Sequence, residues 1–152
     1  MKSTSIVIWM GCVSLFLFQS CGSDESPSKE EVQLKKLSHT WQLVTAEKDN
    51  VAEEGFDNFE LTFAGSSGSA VFTYGAVGRP DLSPWPAGGT WTFGSSVTSD
   101  IIRDPGTDDE VFMNYTVTDA TLQLEFDFSG TGYPTGRVKG TEGHWVFTFT
   151  KQ

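Results

Sequence analysis

The sequence contains little cysteine, little histidine and few cations, and each shortage removes a class of function. Its 152 residues include two cysteines and two histidines, and 20 acids against 10 lysines and arginines give a formal net charge of −10. Because nucleic acids and anionic membrane surfaces both attract clustered lysine and arginine, this balance predicts no nucleic-acid partner and disfavours an anionic membrane surface, so that any membrane attachment is expected to come from a lipid. No nucleophile, phosphate-loop or zinc motif is present, so we expect no catalytic residues, no metal and no cofactor.

The histidines and acids do not suggest a reactive centre either. If the first and last strands pair to close a sheet, His39 and His144 lie about 20 Å apart at about 3.3 Å per residue, too far to act together. Four carboxylates occupy the segment RDPGTDDE at 103–110. Their spacing differs from that of a calcium-binding loop, and a solvated acidic hairpin is the favoured interpretation.

The first 20 residues carry the pattern of a secretory signal. Lys2 provides the positive start, the apolar stretch extends over 6–18, and Ser20 is the small residue before the cut. A transmembrane helix needs about 20 apolar residues, and this stretch is too short.

The segment LFQSC at 17–21 resembles the lipobox of bacterial lipoproteins, in which the cysteine is lipidated and becomes the new N-terminus. The resemblance implies that Cys21 carries the acyl chains, as in palmitate-bearing lipoproteins, and that residues 1–20 are removed. The alternative is a signal peptide cut elsewhere, with Cys21 an unused thiol. Cys12 would be lost with the signal, so we expect neither a disulfide nor thiol chemistry.

A short polar segment follows the proposed anchor. Residues 21–29 read as a lipidated cysteine and a flexible tether, and GSDES resembles the acidic export tags on surface lipoproteins of the Bacteroidota. This resemblance implies an outer-membrane, lipid-anchored protein displayed at the cell surface. Ser28 and Glu31 then form a capping-box pattern that predicts one short helix within 28–39.

A single domain is predicted over 30–152. From Thr40 onward, apolar residues recur at every second position, which is typical of half-buried strands. In TLQLEFDF at 121–128 the apolar residues face one way and the polar residues the other. Eight such segments are separated by Gly, Pro, Ser and Asp: 40–48, 57–64, 69–75, 89–94, 97–103, 111–118, 121–128 and 144–151. Short gaps favour antiparallel neighbours, and the predicted fold is all-β, an eight-stranded antiparallel up-and-down barrel preceded by one short helix. A sandwich is the rival fold, but no cysteine pair is available to staple two sheets.

Four segments resemble the lipocalin-like domains of small bacterial lipoproteins: LSHTWQLVTAEKD (37–49), GGTWTF (88–93), YTVTDATLQLEF (115–126) and GHWVFTFTK (143–151). Trp41 takes the place of the tryptophan on the first lipocalin strand, and Lys151 that of the cation closing over it. The resemblance implies a lipocalin-like barrel that is a monomer and binds a small apolar or amphipathic molecule, or a sugar.

Two interpretations of the barrel interior remain open. Its inward positions are large and aromatic, which fits either a ligand cavity or a core filled by side chains. Trp85, between Pro84 and Pro86, is either an exposed contact at the barrel mouth or a ring tucked over the barrel end. The candidate ligand-binding residues are Trp85, Tyr74, Trp91, Tyr115 and Tyr133. A filled interior would instead favour a structural or protein-interaction module of the cell envelope.

Overall fold

The computed structural model describes residues 26–130, 132–133 and 140–152. The predicted lipidation site, Cys21, lies outside these residues. Among the residues described, no helix has the length and apolar character needed to cross a membrane.

One helix precedes the sheet. Helix α1 (Lys29–Leu37) begins after Ser28, whose side chain accepts a hydrogen bond from the backbone of Glu31 while the Glu31 carboxylate accepts one from the backbone of Ser28. This is the predicted capping box, and it satisfies donors that have no partner within the helix. Leu34 and Leu37 are the buried residues of α1, and they pack it against one end of the sheet.

The rest of the described chain forms a closed antiparallel barrel. Its strands are β1 (Thr40–Lys48), β2 (Val51–Ala52), β3 (Glu60–Ala64), β4 (Phe72–Val77), β5 (Gly88–Phe93), β6 (Asp100–Arg103), β7 (Val111–Val117), β8 (Thr121–Phe128) and β9 (Gly143–Lys151). Strands β1 and β3 to β9 pair in sequence order, and β9 pairs back onto β1 to close eight strands. The predicted all-β, eight-stranded barrel with one preceding helix is therefore confirmed.

Strand β2 is an addition that the hydrophobic pattern did not predict. Asp49 and Asn50 have φ angles of 52° and 65°, the left-handed conformation of a two-residue hairpin turn, and they fold Val51 back onto Lys48. Only two residues of β2 pair with β1. An alternating apolar pattern cannot reveal so short a strand, whereas the Asp-Asn pair was a usable signal.

The two-residue period places the core where the sequence predicts it. In β8, Leu122, Leu124, Phe126 and Phe128 are buried, and their polar neighbours lie at the surface. The strand aromatics predicted to point inward are buried as well, except that Phe93 is half-buried. Phe56 and Trp85 join this core from loops, at positions that strand periodicity does not cover.

Candidate functional site

Trp85 lies inside the barrel and not at its surface. Its side chain is 0% exposed, and its ring centroid is 5.7 Å from that of Phe126, 5.8 Å from Tyr74 and 6.0 Å from Phe147. Of the two interpretations that the sequence left open, burial agrees with the ring tucked into the barrel end and rules out the exposed contact at the barrel mouth. The loop has a polar composition, but Ser83 and Pro84 are buried together with Trp85, while Asp81, Leu82 and Ala87 are exposed.

Polar contacts hold the loop that carries Trp85. Arg79 Nη1 donates a hydrogen bond to the Trp85 carbonyl at 2.7 Å, and the Trp85 amide donates to Ser83 Oγ at 3.1 Å. Ser83 and Tyr133 are linked by reciprocal backbone hydrogen bonds. The loop begins at Gly78, whose φ is 66° and where a Cβ would lie 1.8 Å from the Asn58 carbonyl oxygen. These contacts hold the indole inside the barrel, where it forms a plug at the end opposite helix α1.

Arg103 is a buried charge that the sequence analysis missed. Its side chain is 1% exposed, and its guanidinium carbon lies 5.2 Å from the centre of the Trp85 ring and 5.8 Å from that of Phe128. Nη1 donates to the Pro84 carbonyl at 2.7 Å, and Nε is 3.5 Å from Asp104 Oδ2. Burial lowers the pKa of the guanidinium, opposed by nearby tyrosines and acids. The signal for this residue was its position at the end of the short strand β6, opposite Trp91 in the register.

Asp104 connects Arg103 to the neighbouring strands. Its Oδ2 accepts a hydrogen bond from Tyr74 Oη at 2.8 Å, and its Oδ1 accepts one from the Thr90 amide at 2.8 Å. Burial raises the pKa of the Tyr74 hydroxyl above its usual range, with a further increase from Asp104 and an opposing effect of Arg103. Gly89 leaves room for this carboxylate, because a Cβ at that position would lie 2.1 Å from Asp104 Oδ1 and would displace it.

Three buried donors in this region lack an acceptor. Among the described residues, neither Nε nor Nη2 of Arg103 nor Nε1 of Trp85 has a hydrogen-bond partner. Buried polar groups are nearly always paired, and an unpaired donor costs about 1–3 kcal/mol. Within the described residues, Trp85 thus differs from Trp41, Trp91 and Trp145, whose indole N–H groups each donate to a backbone carbonyl.

Of the other candidate ligand residues, Tyr74 contacts Trp85 directly, whereas Trp91 and Tyr115 have separate partners. Trp91 packs against Phe63, Phe72 and Phe93, and its Nε1 donates to the Thr73 carbonyl at 3.0 Å. The hydroxyl of Tyr115 donates to the Val97 carbonyl. Tyr133 is half-buried beside the plug loop, and burial raises the pKa of its hydroxyl to about 12, with a further contribution from Asp109.

The barrel interior is filled by aromatic rings. Phe147 is central: it stacks on Phe126 at 5.9 Å and on Trp145 at 5.3 Å, and it contacts Phe59 at 6.0 Å. Three clefts have volumes of about 680, 610 and 440 Å³, and none of them is lined by Trp85, Arg103 or Phe147. The cleft of 440 Å³ does reach Phe128, on which Arg103 packs, and Tyr133, which pairs with the loop that carries Trp85.

The two histidines lie at opposite ends of the barrel. His39 Nε2 is 2.9 Å from Lys151 Nζ at the end of β9, and burial together with the Lys151 charge lowers the pKa of His39. His144 lies near the start of β9, with Nδ1 2.9 Å from Asp127 Oδ1 and Nε2 3.2 Å from Glu125 Oε1. The hydrogen bond that His144 donates to the Asp127 carboxylate is the largest cause that raises the pKa of His144, and burial opposes it. The prediction that the histidines lie far apart is thus confirmed.

The acidic segment between β6 and β7 forms a hairpin connection at the same end of the barrel as His144. Asp108, Asp109 and Glu110 are exposed there. Across the described residues, no three His, Cys, Asp or Glu side chains form a group suited to holding a metal ion.

The chain matches no protein-family model, no curated protein and no solved structure in comparisons with all three. Its class is therefore defined by its own fold: a closed eight-stranded antiparallel barrel with a helix at one end and a tryptophan plug at the other.

Proposed function

We propose that the protein is a lipid-anchored, non-catalytic module of the cell envelope, attached to the outer membrane through Cys21, that acts through the outer surface of a filled barrel. The packing of the barrel interior is the observation that supports this proposal. Trp85 occupies the space in which a small ligand would bind, and stacked rings fill the core around it. A barrel whose described interior is packed with side chains offers partners its outer surface.

The anchor is argued from the sequence. LFQSC at 17–21 supplies the cysteine, and several acyl chains on one cysteine give stable attachment because each buried methylene contributes about 0.8 kcal/mol. The polar tether then leads to α1, which begins at Lys29. The domain would therefore lie directly above the membrane that holds the acyl chains.

An apolar patch on the outer surface supports a protein-interaction role. Phe112 on β7 is 68% exposed, and its register partner on β6 is Ile102. Both residues line a groove of about 390 Å³. Exposed aromatic rings beside a groove are the kind of surface that protein partners bury.

Two measurements test the proposal. Cys21→Ser should release the protein from membranes and abolish labelling by a fatty-acid analogue; unchanged membrane association would contradict the anchor. A photo-crosslinking amino acid at position 112 should give a discrete adduct in cells, whereas the same group at the exposed Gln123 should not. Equal crosslinking at the two positions would contradict an interaction surface at Phe112.

A second candidate function is supported by the unpaired donors around the plug. A ligand with acceptor oxygens that displaced Trp85 would pair Nε and Nη2 of Arg103, which have no partner among the described residues. Native mass spectrometry of the protein purified from its own membrane distinguishes the two functions. A small molecule bound in stoichiometric amount, in addition to the acyl chains, would favour the ligand-binding barrel.

A further inference from the structure

A groove of about 680 Å³ lies beside α1, at the end of the barrel where the tether joins the domain. Its lining includes Pro27 and Val32 together with Lys35, Lys36, His39 and Lys151. Val32 is 37% exposed and contributes an apolar contact surface next to the lysines. The groove thus combines cationic and apolar groups.

The groove has a small excess of positive charge in a protein whose formal net charge is −10. Three lysines line it against two acids, Glu31 and Asp119. The carboxylate of Glu31 is already engaged, because Oε2 accepts from the Ser28 amide at 2.8 Å and Oε1 accepts from Ser67 Oγ at 2.9 Å. Glu31 keeps its negative charge, but the ammonium groups of Lys35 and Lys36 have no salt bridge within the described residues, whereas Lys151 Nζ is 2.9 Å from His39 Nε2.

The opposite end of the barrel is acidic. A cleft there of about 440 Å³ is lined by four acids, Asp108, Asp109, Glu110 and Asp127. Strand β9 runs between the two ends from Gly143 to Lys151, a distance of about 26 Å at about 3.3 Å per residue. This exceeds the Debye length of about 8–10 Å at physiological salt, so a charged surface at one end acts on that end alone.

The tether keeps the groove close to the anchor. Pro27 lines the groove, and Cys21 precedes it by six residues, a span of at most about 22 Å at about 3.3–3.6 Å per residue. If Cys21 carries acyl chains, the groove cannot move farther than this from the headgroups. It is then the first cationic surface of the described domain that the membrane meets.

We propose that this groove docks the phosphates of anionic phospholipid headgroups in the membrane that holds the anchor, so that the helix end faces the bilayer and the acidic end points away. The inference rests on the proposed lipid anchor. Asp24 and Glu25 in the tether oppose the attraction, so the acyl chains provide the affinity and the groove determines the orientation. The attraction of one juxtamembrane lysine to an anionic surface changes the ratio of docked to undocked molecules by about five-fold.

The test uses the full lipidated chain in vesicles of phosphatidylcholine alone and in vesicles in which a third of the lipid is phosphatidylglycerol. Amine acylation, read by mass spectrometry, reports how accessible each lysine is. We expect acylation of Lys35, Lys36 and Lys151 to slow about five-fold on the anionic vesicles. Lys48, which lies toward the acidic end and is paired with Glu53, is the internal control and should react equally on both.

The two histidines give a second measurement from the same preparation. With histidine isotopically labelled and the chain in nanodiscs of the same two compositions, a headgroup phosphate in the groove should raise the pKa of His39 and leave that of His144 unchanged. The variant with Lys35→Gln, Lys36→Gln and Lys151→Gln should lose the difference between the two lipid compositions at His39. The matched Lys48→Gln variant should retain it.

The outcomes separate the docking surface from the anchor. A chain that floats with both vesicle types but shows equal lysine acylation on them overturns the docking proposal and leaves the anchor standing. A chain that fails to float overturns both. A third outcome is that inorganic phosphate, added to phosphatidylcholine vesicles, protects the groove lysines as well as phosphatidylglycerol does. The groove would then be a site for free phosphate, and lipid docking would also be overturned.

Discussion

The four tryptophans of the described domain differ in how their indole N–H groups are paired. Nε1 of Trp41, Trp91 and Trp145 donates to a backbone carbonyl at 2.9, 3.0 and 2.8 Å respectively. Nε1 of Trp85 is buried without an acceptor among the described residues. Replacing each tryptophan by phenylalanine should therefore have different effects on the free energy of unfolding.

Trp85→Phe removes an unpaired donor and keeps a ring in the plug position. The lost ring volume, roughly 40 Å³ at about 24 cal/mol per Å³, destabilises by about 1 kcal/mol, and lost transfer energy adds a similar amount. Removing the unpaired N–H raises the free energy of unfolding by about 1–3 kcal/mol. We expect the variant to unfold within about 1 kcal/mol of the wild type.

Trp91→Phe is the matched control. It loses the same volume and also leaves the Thr73 carbonyl without its donor, so it should be destabilised by about 3–5 kcal/mol. Trp85→Ala should cost about 3–5 kcal/mol, which verifies that the ring is packed. Urea unfolding of the chain from residue 22 onward, followed by circular dichroism, measures all three. The reasoning is refuted if Trp85→Phe is destabilised as much as Trp91→Phe.

Two further predictions concern the core and the surface. Phe126→Ala should lower the free energy of unfolding by about 3–5 kcal/mol, whereas Gln123→Ala on the outer face should change it by no more than about 0.5 kcal/mol; similar effects in urea unfolding would contradict the inward–outward assignment. His144 has a raised pKa in the folded state, so it stabilises the fold fully below its unfolded pKa of about 6.5 and loses this contribution as pH rises through the folded pKa. The stability difference between wild type and His144→Gln should accordingly be larger at acidic than at alkaline pH, and a difference that grows with pH would contradict it.

Much of the fold was predictable because each barrel strand has one buried face. In β8 the alternation of Phe126 with polar neighbours indicates both the strand and its orientation. The capping box at Ser28 is a local signal, and it placed the helix within one residue of its observed start. Such features depend on residues that are close in sequence, which is why a single sequence contains them.

The plug was not predictable in the same way. Trp85 is surrounded by proline, serine and glycine, so its local sequence indicates an exposed loop, and only the space left between distant strands determines that the ring enters the core. Arg103 is hidden for the same reason: its partners Pro84 and Phe128 come from other parts of the chain. A tertiary environment of this kind overrides local composition.

Closure of the barrel has a consequence for the order in which the chain folds. Each successive hairpin joins neighbouring segments, but the pairing of β1 with β9, which we call the seam, joins Trp41 to Lys151, 110 residues further along the chain. Loop-closure entropy for a span of that length is about 4 kcal/mol on the logarithmic scale, about twice that of a ten-residue hairpin. The seam should therefore form last and limit the folding rate, and until β9 is available β1 and β8 expose free strand edges that invite association between chains.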